Sequence, residues 1–227
     1  MCLNWRIPVP RFLSMFVRQS FLVGLMALFV SASASAASLN DIEGMFEPVT
    51  PPVVTKSKDK VEVVEVFWYR CPHCYRLQPT MIQYEQTKPD YVDFIRMPAV
   101  LSERWRPAAK AFYTAVALDA LEKVHGPMFA AIHQERRPMQ TDEEVKELFV
   151  SHGVNGAAFD KRSNSFGVDS QVRRAAKRAA DYGITGVPTI IINGRYRTGP
   201  RLTGSAEATL EVVQTLVELE RERMGLK

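Results

Sequence analysis

Two cysteines stand two residues apart in Cys71-Pro72-His73-Cys74, a spacing that lets one disulfide open and close as a redox centre. The motif follows an apolar, β-branched stretch and precedes one with helical spacing, so it falls where a strand hands over to a helix. A thiol there meets unpaired backbone N–H groups and the positive end of the helix dipole, which favour the thiolate, the form that attacks disulfides. Pro72 costs little at a first helical position, because no intrahelical N–H bond is lost. His73 adds a cationic or hydrogen-bonding neighbour. Each pKa unit by which Cys71 falls below about 8.5 stabilises the reduced form by about 1.4 kcal/mol, so such a site gives its disulfide away. Cys71 is then the exposed sulfur that a substrate thiol attacks, and Cys74 the leaving and resolving sulfur on the inner side of the first helical turn.

Other uses of the pair fit less well. A structural bridge gains more from closing a long loop than from closing this short one. Zinc needs two further ligands, and His125, His133 and His152 lack the spacing of a ligand pair. Haem attachment needs histidine at position 75, where Tyr75 stands.

Two further features converge on the motif. Glu65 is an acid in an apolar strand six residues before Cys71; buried there, its pKa rises and it can accept or relay the proton of Cys74, whereas on an outer edge it is only solvated. Glu62 reads as that outward-facing edge case. In Gly186-Val187-Pro188-Thr189 a proline starts a strand, either as an ordinary edge-strand proline or as a cis Val187-Pro188 bond at the site.

The elements that must position these residues follow from pattern. Residues 61–68 are nearly all apolar and predict a central strand covered on both faces. A helix to about residue 87 and a strand over 91–97 complete a βαβ unit. Residues 99–182 read as an all-helical block: a helix from Pro107 toward His125-Gly126, a short one over 127–134, one opened by the capping box at Thr141 and Glu144 and closed at Gly153, and two more over 157–163 and 169–182. A hairpin over 189–198 turns at Asn193-Gly194, an edge strand lies near 45–49, and residues 206–223 form a closing amphipathic helix.

The 227 residues, 46% hydrophobic and 24% charged, suit a globular chain long enough to fold without disulfide staples. Its first 36 residues read separately: Arg6, Arg11 and Arg18 without an acid, an apolar run over 21–30, then Ala34-Ser35-Ala36, the layout of a cleaved secretory signal peptide. The run is too short and too closely flanked to span a membrane. Cleavage turns 29 basic against 25 acidic residues into 26 against 25, which removes the case for a nucleic-acid surface, and discards Cys2, which leaves an even pair. Export places that pair in an oxidising compartment.

The stretch Glu65-Val66-Phe67-Trp68-Tyr69-Arg70-Cys71-Pro72-His73-Cys74-Tyr75, with the helical block and Gly186-Val187-Pro188, resembles the DsbA family of periplasmic thiol:disulfide oxidases in the thioredoxin superfamily. The likeness runs over about residues 45–224. The isomerase relatives DsbC and DsbG typically carry threonine before the proline and an N-terminal dimerisation domain, for which the roughly 34 residues between Ala36 and Cys71 leave no room. The resemblance implies an α/β protein, a thioredoxin fold with an inserted all-helical domain: a first thioredoxin part over 37–98, the insertion over 99–182 and a second part over 183–227. It implies Cys71 as nucleophile, Cys74 as resolving cysteine, His73 as thiolate stabiliser beside Pro72, Glu65 as the buried acid, and Val187 next to cis-Pro188 against substrate backbone. It implies a periplasmic monomer, without cofactor or metal, that oxidises unfolded or newly exported cysteine-containing proteins and is reoxidised by a DsbB-like membrane quinone reductase. A reductase or isomerase of the superfamily, or a redox-inactive peptide-binding module, stand as alternatives. Tyr69-Arg70 departs from the family pattern, since many relatives carry apolar residues before the motif; Arg70 is placed to lower the thiolate pKa further or to alter substrate and partner preference, and the basic stretch 195–204 bears on surface specificity.

Overall fold

A computed structural model describes residues 39–227; the expected signal peptide lies outside them. Its elements, in chain order, are β1 (Glu47–Pro48), β2 (Val61–Phe67), α1 (Pro72–Thr87), β3 (Val92–Pro98), α2 (Arg106–Ala117), α3 (Leu121–His133), α4 (Asp142–Ser151), α5 (Gly156–Ser163) and α6 (Phe166–Asp181). They close with β4 (Thr189–Ile192), β5 (Tyr196–Thr198), α7 (Pro200–Thr203) and α8 (Ala206–Met224). The strands form one mixed sheet in the order β1-β5-β4-β2-β3, with β2 and β3 parallel and the other pairs antiparallel. This is a thioredoxin-like sheet, with the helices α2 to α6 inserted between β3 and β4.

Strand β2 sits at the centre and is buried along its whole length, as its run of valines requires. Its pleat sends Val61 and Val63 toward α1 and α8, where they pack with Leu77, Met81, Val213 and Leu216. Val64 and Val66 point the other way, toward Ala175 and Ala179 of α6. The sheet end of β2 delivers Phe67, Tyr69 and both cysteines into a third cluster built with α2 to α5 through Phe112, Phe129, Leu148 and Phe149. The loop that carries both cysteines therefore lies on the seam between the sheet and the helical block.

The local signals were realised where they were strongest. Thr141 and Glu144 cap α4 reciprocally. Asn193 and Gly194 both have positive φ in the β4–β5 turn, and a Cβ at Gly194 would meet the Val53 carbonyl oxygen at 2.0 Å, so only glycine fits. The long helix expected up to Gly126 is corrected: it ends at Ala117, Asp119 turns the chain at φ 53°, and α3 runs straight through Gly126 and Pro127. Pro127 forfeits one backbone bond, and burial of Val124, Met128 and Phe129 on the same helix outweighs that loss. Glu62 is also corrected: it is fully buried, because α6 covers the face of β2 on which it lies.

Candidate active site

Cys71 is the N-cap of α1 and Pro72 its first residue, so the missing proline N–H costs nothing. A turn precedes it, closed by the Cys71 N–H donating to the Trp68 carbonyl at 2.9 Å. The expectation of an exposed Cys71 is corrected: it is only 8% exposed, because the Val187 loop lies over it, while Cys74 is wholly buried; both are free thiols. The Cys71 thiol donates to the Val187 carbonyl at 3.4 Å, across the cis Val187-Pro188 bond from buried Pro188. The structure thus brings together Cys71, Pro72, His73, Cys74, Val187 and Pro188, although 116 residues separate Cys71 from Val187.

The two sulfurs differ in acidity because of what each faces. The Cys71 pKa is lowered to about 6, first by the hydrogen bond from the Cys74 thiol, then by the backbone N–H groups of Cys74 and His73, and last by the His73 charge, against the opposing effect of burial. Burial drives the Cys74 pKa far up, and the negative charge on Cys71 pushes the same way. His73 is exposed and its Nδ1 accepts from Arg76 Nη2 at 2.8 Å, so it contributes less than the backbone does. Arg70 is corrected as a thiolate stabiliser: its guanidinium turns to the Pro138 carbonyl of the helical block.

Glu65 lies on the α1 face of β2, 3% exposed, and burial raises its pKa to about 7. Arg96, its register partner on β3, opposes that rise from 3.6 Å, but the same guanidinium lies 2.5 Å from Glu85 of α1. Arg96 is not among the site residues expected from sequence, although an arginine inside an apolar strand is the same kind of signal as Glu65. The spacing of His125 and His133 speaks only against zinc; in the structure both contact Tyr69.

A cleft of about 660 Å³ opens beside the motif, lined by His73, Arg76 and Leu77, the 183–189 loop and the 197–206 segment. Among the described residues no group of three His, Cys, Asp or Glu gathers as a metal site, and no helix is long and apolar enough to cross a membrane.

Comparison with known proteins supplies context for this geometry. The DSBA-like thioredoxin domain matches residues 62–210. The chain is 35% identical over 207 residues to the thiol:disulfide interchange protein DsbA of Pseudomonas aeruginosa, covering 90% of this chain and 98% of that one. It is 37% identical over 202 residues to DsbA of Burkholderia cepacia, covering 88% and 94%. The crystal structure of Pseudomonas aeruginosa DsbA superposes with a TM-score of 0.77 at 35% identity, covering 80% of this chain and 95% of that one.

Proposed function

The chain belongs to the family of DSBA-like thioredoxin domains and is a thiol:disulfide oxidoreductase of the DsbA type, and from that premise we propose how its residues work and where. A substrate thiolate attacks Cys71 Sγ of the oxidised enzyme; a mixed disulfide forms and the electron pair of the broken bond leaves on Cys74. Cys74, whose burial disfavours the anion, takes up a proton that Glu65 holds near neutrality. A second substrate thiolate then attacks the substrate sulfur of the mixed disulfide, and Cys71 leaves as the better anion. The substrate loses two electrons to the enzyme, which ends as a dithiol. The observation that carries this direction is the asymmetry of the pair, with Cys71 lowered to about 6 and Cys74 raised.

Val187 offers its carbonyl beside the nucleophile, and Val187 with Pro188 forms the wall against which substrate backbone lies. We assign the helices between about 99 and 182 to an inserted domain over a thioredoxin core made of 37–98 and 183–227. The clients are unfolded or newly exported cysteine-containing proteins in the periplasm, the working form is a monomer, and a DsbB-like membrane quinone reductase removes the two electrons. This rests on the signal-peptide pattern and on the family.

Equilibration of the purified protein with glutathione tests the direction. We expect a reduction potential well above the roughly −270 mV of thioredoxin. A value at or below that overturns the oxidase reading, as does a Cys71→Ser variant that still oxidises a reduced client. Thiol trapping in cells with and without a quinone reductase of that type tests the reoxidant: the motif should accumulate reduced when it is missing.

A further inference from the structure

Tyr69, two residues before Cys71, is held at both ends by one helix of the helical block. Its buried hydroxyl lies 2.8 Å from His125 Nδ1, and its carbonyl oxygen lies 2.8 Å from His133 Nε2. A carbonyl only accepts, so His133 Nε2 is the donor. Burial holds His125 neutral, with a pKa near 3, and raises the tyrosine pKa, so the hydroxyl donates to Nδ1. Phe67, Phe112 and Phe129 pack edge-on around the His125 ring. His133 also stacks on Tyr75, with ring centres 4.9 Å apart and planes 11° from parallel. One histidine therefore touches the residue two before Cys71 and the residue next after Cys74.

Tyr69 and Arg70 are the corners of the turn that the Cys71 N–H closes onto Trp68. Arg70 is tied to the Pro138 carbonyl, so the loop after α3 grips the second corner as the histidines grip the first. The thiolate depends on hydrogen bonds from the backbone N–H groups of His73 and Cys74 and from the Cys74 thiol, and such bonds weaken steeply when their angle degrades. Freedom in the turn is freedom in the direction of Cys71 Sγ.

We propose that His133 and His125 are positioning residues of the redox site, through which α3 fixes the Trp68–Cys71 turn and so aims the nucleophilic sulfur at its donors. This deepens the oxidase reading and rests on it. The inserted helices are then part of what sets the oxidising strength, in addition to covering the site.

The test compares variants by the ultraviolet absorbance of the Cys71 thiolate across pH and by the equilibrium constant with glutathione. His133→Ala should raise the Cys71 pKa by about one unit and move the equilibrium about tenfold toward oxidised protein. His133→Gln retains an N–H donor and should recover most of that. Tyr69→Phe, which keeps the carbonyl contact and loses the hydroxyl, should move it about threefold and serves if His133→Ala does not fold. Phe149→Leu, in the helical core, should lower thermal stability and leave both readouts in place. The proposal is overturned if neither His133→Ala nor Tyr69→Phe moves the readouts, or if Phe149→Leu moves them equally. A failure of the oxidase reading shows separately, in the potential of the unaltered protein.

Discussion

Two buried glutamates on the same central strand, three residues apart and on opposite faces, have different fates. Glu62 faces α6, where Arg178 and the Tyr182 hydroxyl donate to one of its oxygens and the Lys56 N–H, at 3.5 Å, approaches the other. Glu65 faces α1, and its ion-pair partner Arg96 stands at 3.6 Å while lying closer to Glu85. Both are buried, at 0% and 3% exposure, so desolvation alone does not separate them. The difference is in the partners: Glu62 has close donors and anchors α6 to the strand, whereas Glu65 shares its cation with Glu85, and burial raises its pKa to about 7. The pleat of one strand thus keeps an ion pair with α6 on one face and, on the other, the buried carboxyl to which the proposed mechanism gives the proton of Cys74.

The largest effect should come from breaking the anchor. Glu62→Leu leaves Arg178 without its carboxylate and should cost about 3 kcal/mol, a fall of roughly 10 °C in melting temperature, with the specific activity of the folded protein unchanged. Loss of activity in step with stability would erase the distinction between the faces. Glu65→Gln should act the other way. A raised carboxyl pKa means that the folded state binds its proton more tightly, so the contribution of Glu65 is complete below about pH 4.5 and is lost as pH climbs through about 7. The variant should match the parent at pH 4, exceed it by up to about 3 kcal/mol at pH 8 in urea titrations, and reoxidise about tenfold more slowly.

Cys71 gives the mirror case. Its lowered pKa means that stabilisation of the reduced protein is complete above the unfolded-state thiol value near 9 and is lost as pH falls through about 6. The stability of reduced over oxidised protein should therefore grow between pH 6 and 9, by at most about 1.4 kcal/mol per pH unit, as paired calorimetric scans would show. A gap independent of pH would remove the thiolate from the account. The smallest effect belongs to Glu85→Gln, which removes a charge that raises the Glu65 pKa and returns Arg96 to Glu65. The pH midpoint for reoxidation should drop by about half a unit, and an unchanged or higher midpoint would show that Arg96 is not shared.

Much of the site was legible because it is local. The cysteine spacing, the strand-to-helix handover, the Thr141 capping box and the Asn193-Gly194 turn each depend on neighbours within a few residues. The helix break at Asp119 was not legible, since neither glycine nor proline marks it, while Gly126-Pro127 advertises a break that packing overrides. Glu62 was misread because its cover, α6, lies 116 residues downstream at Arg178. The roles of Arg96, His125 and His133 required knowing which side chains would face one another.

The sequence by itself determined the chemistry, because a dithiol at a helix N-terminus has few other uses, and the composition of the expected leader pointed to an oxidising compartment. Only the tertiary structure decided how that chemistry is tuned: what surrounds the Glu65 carboxyl, what the Cys71 thiol faces and what holds its turn. The reason is physical. Charge and hydrogen-bond energies fall with distance and angle, and those are set where remote segments meet across the sheet and the helical block.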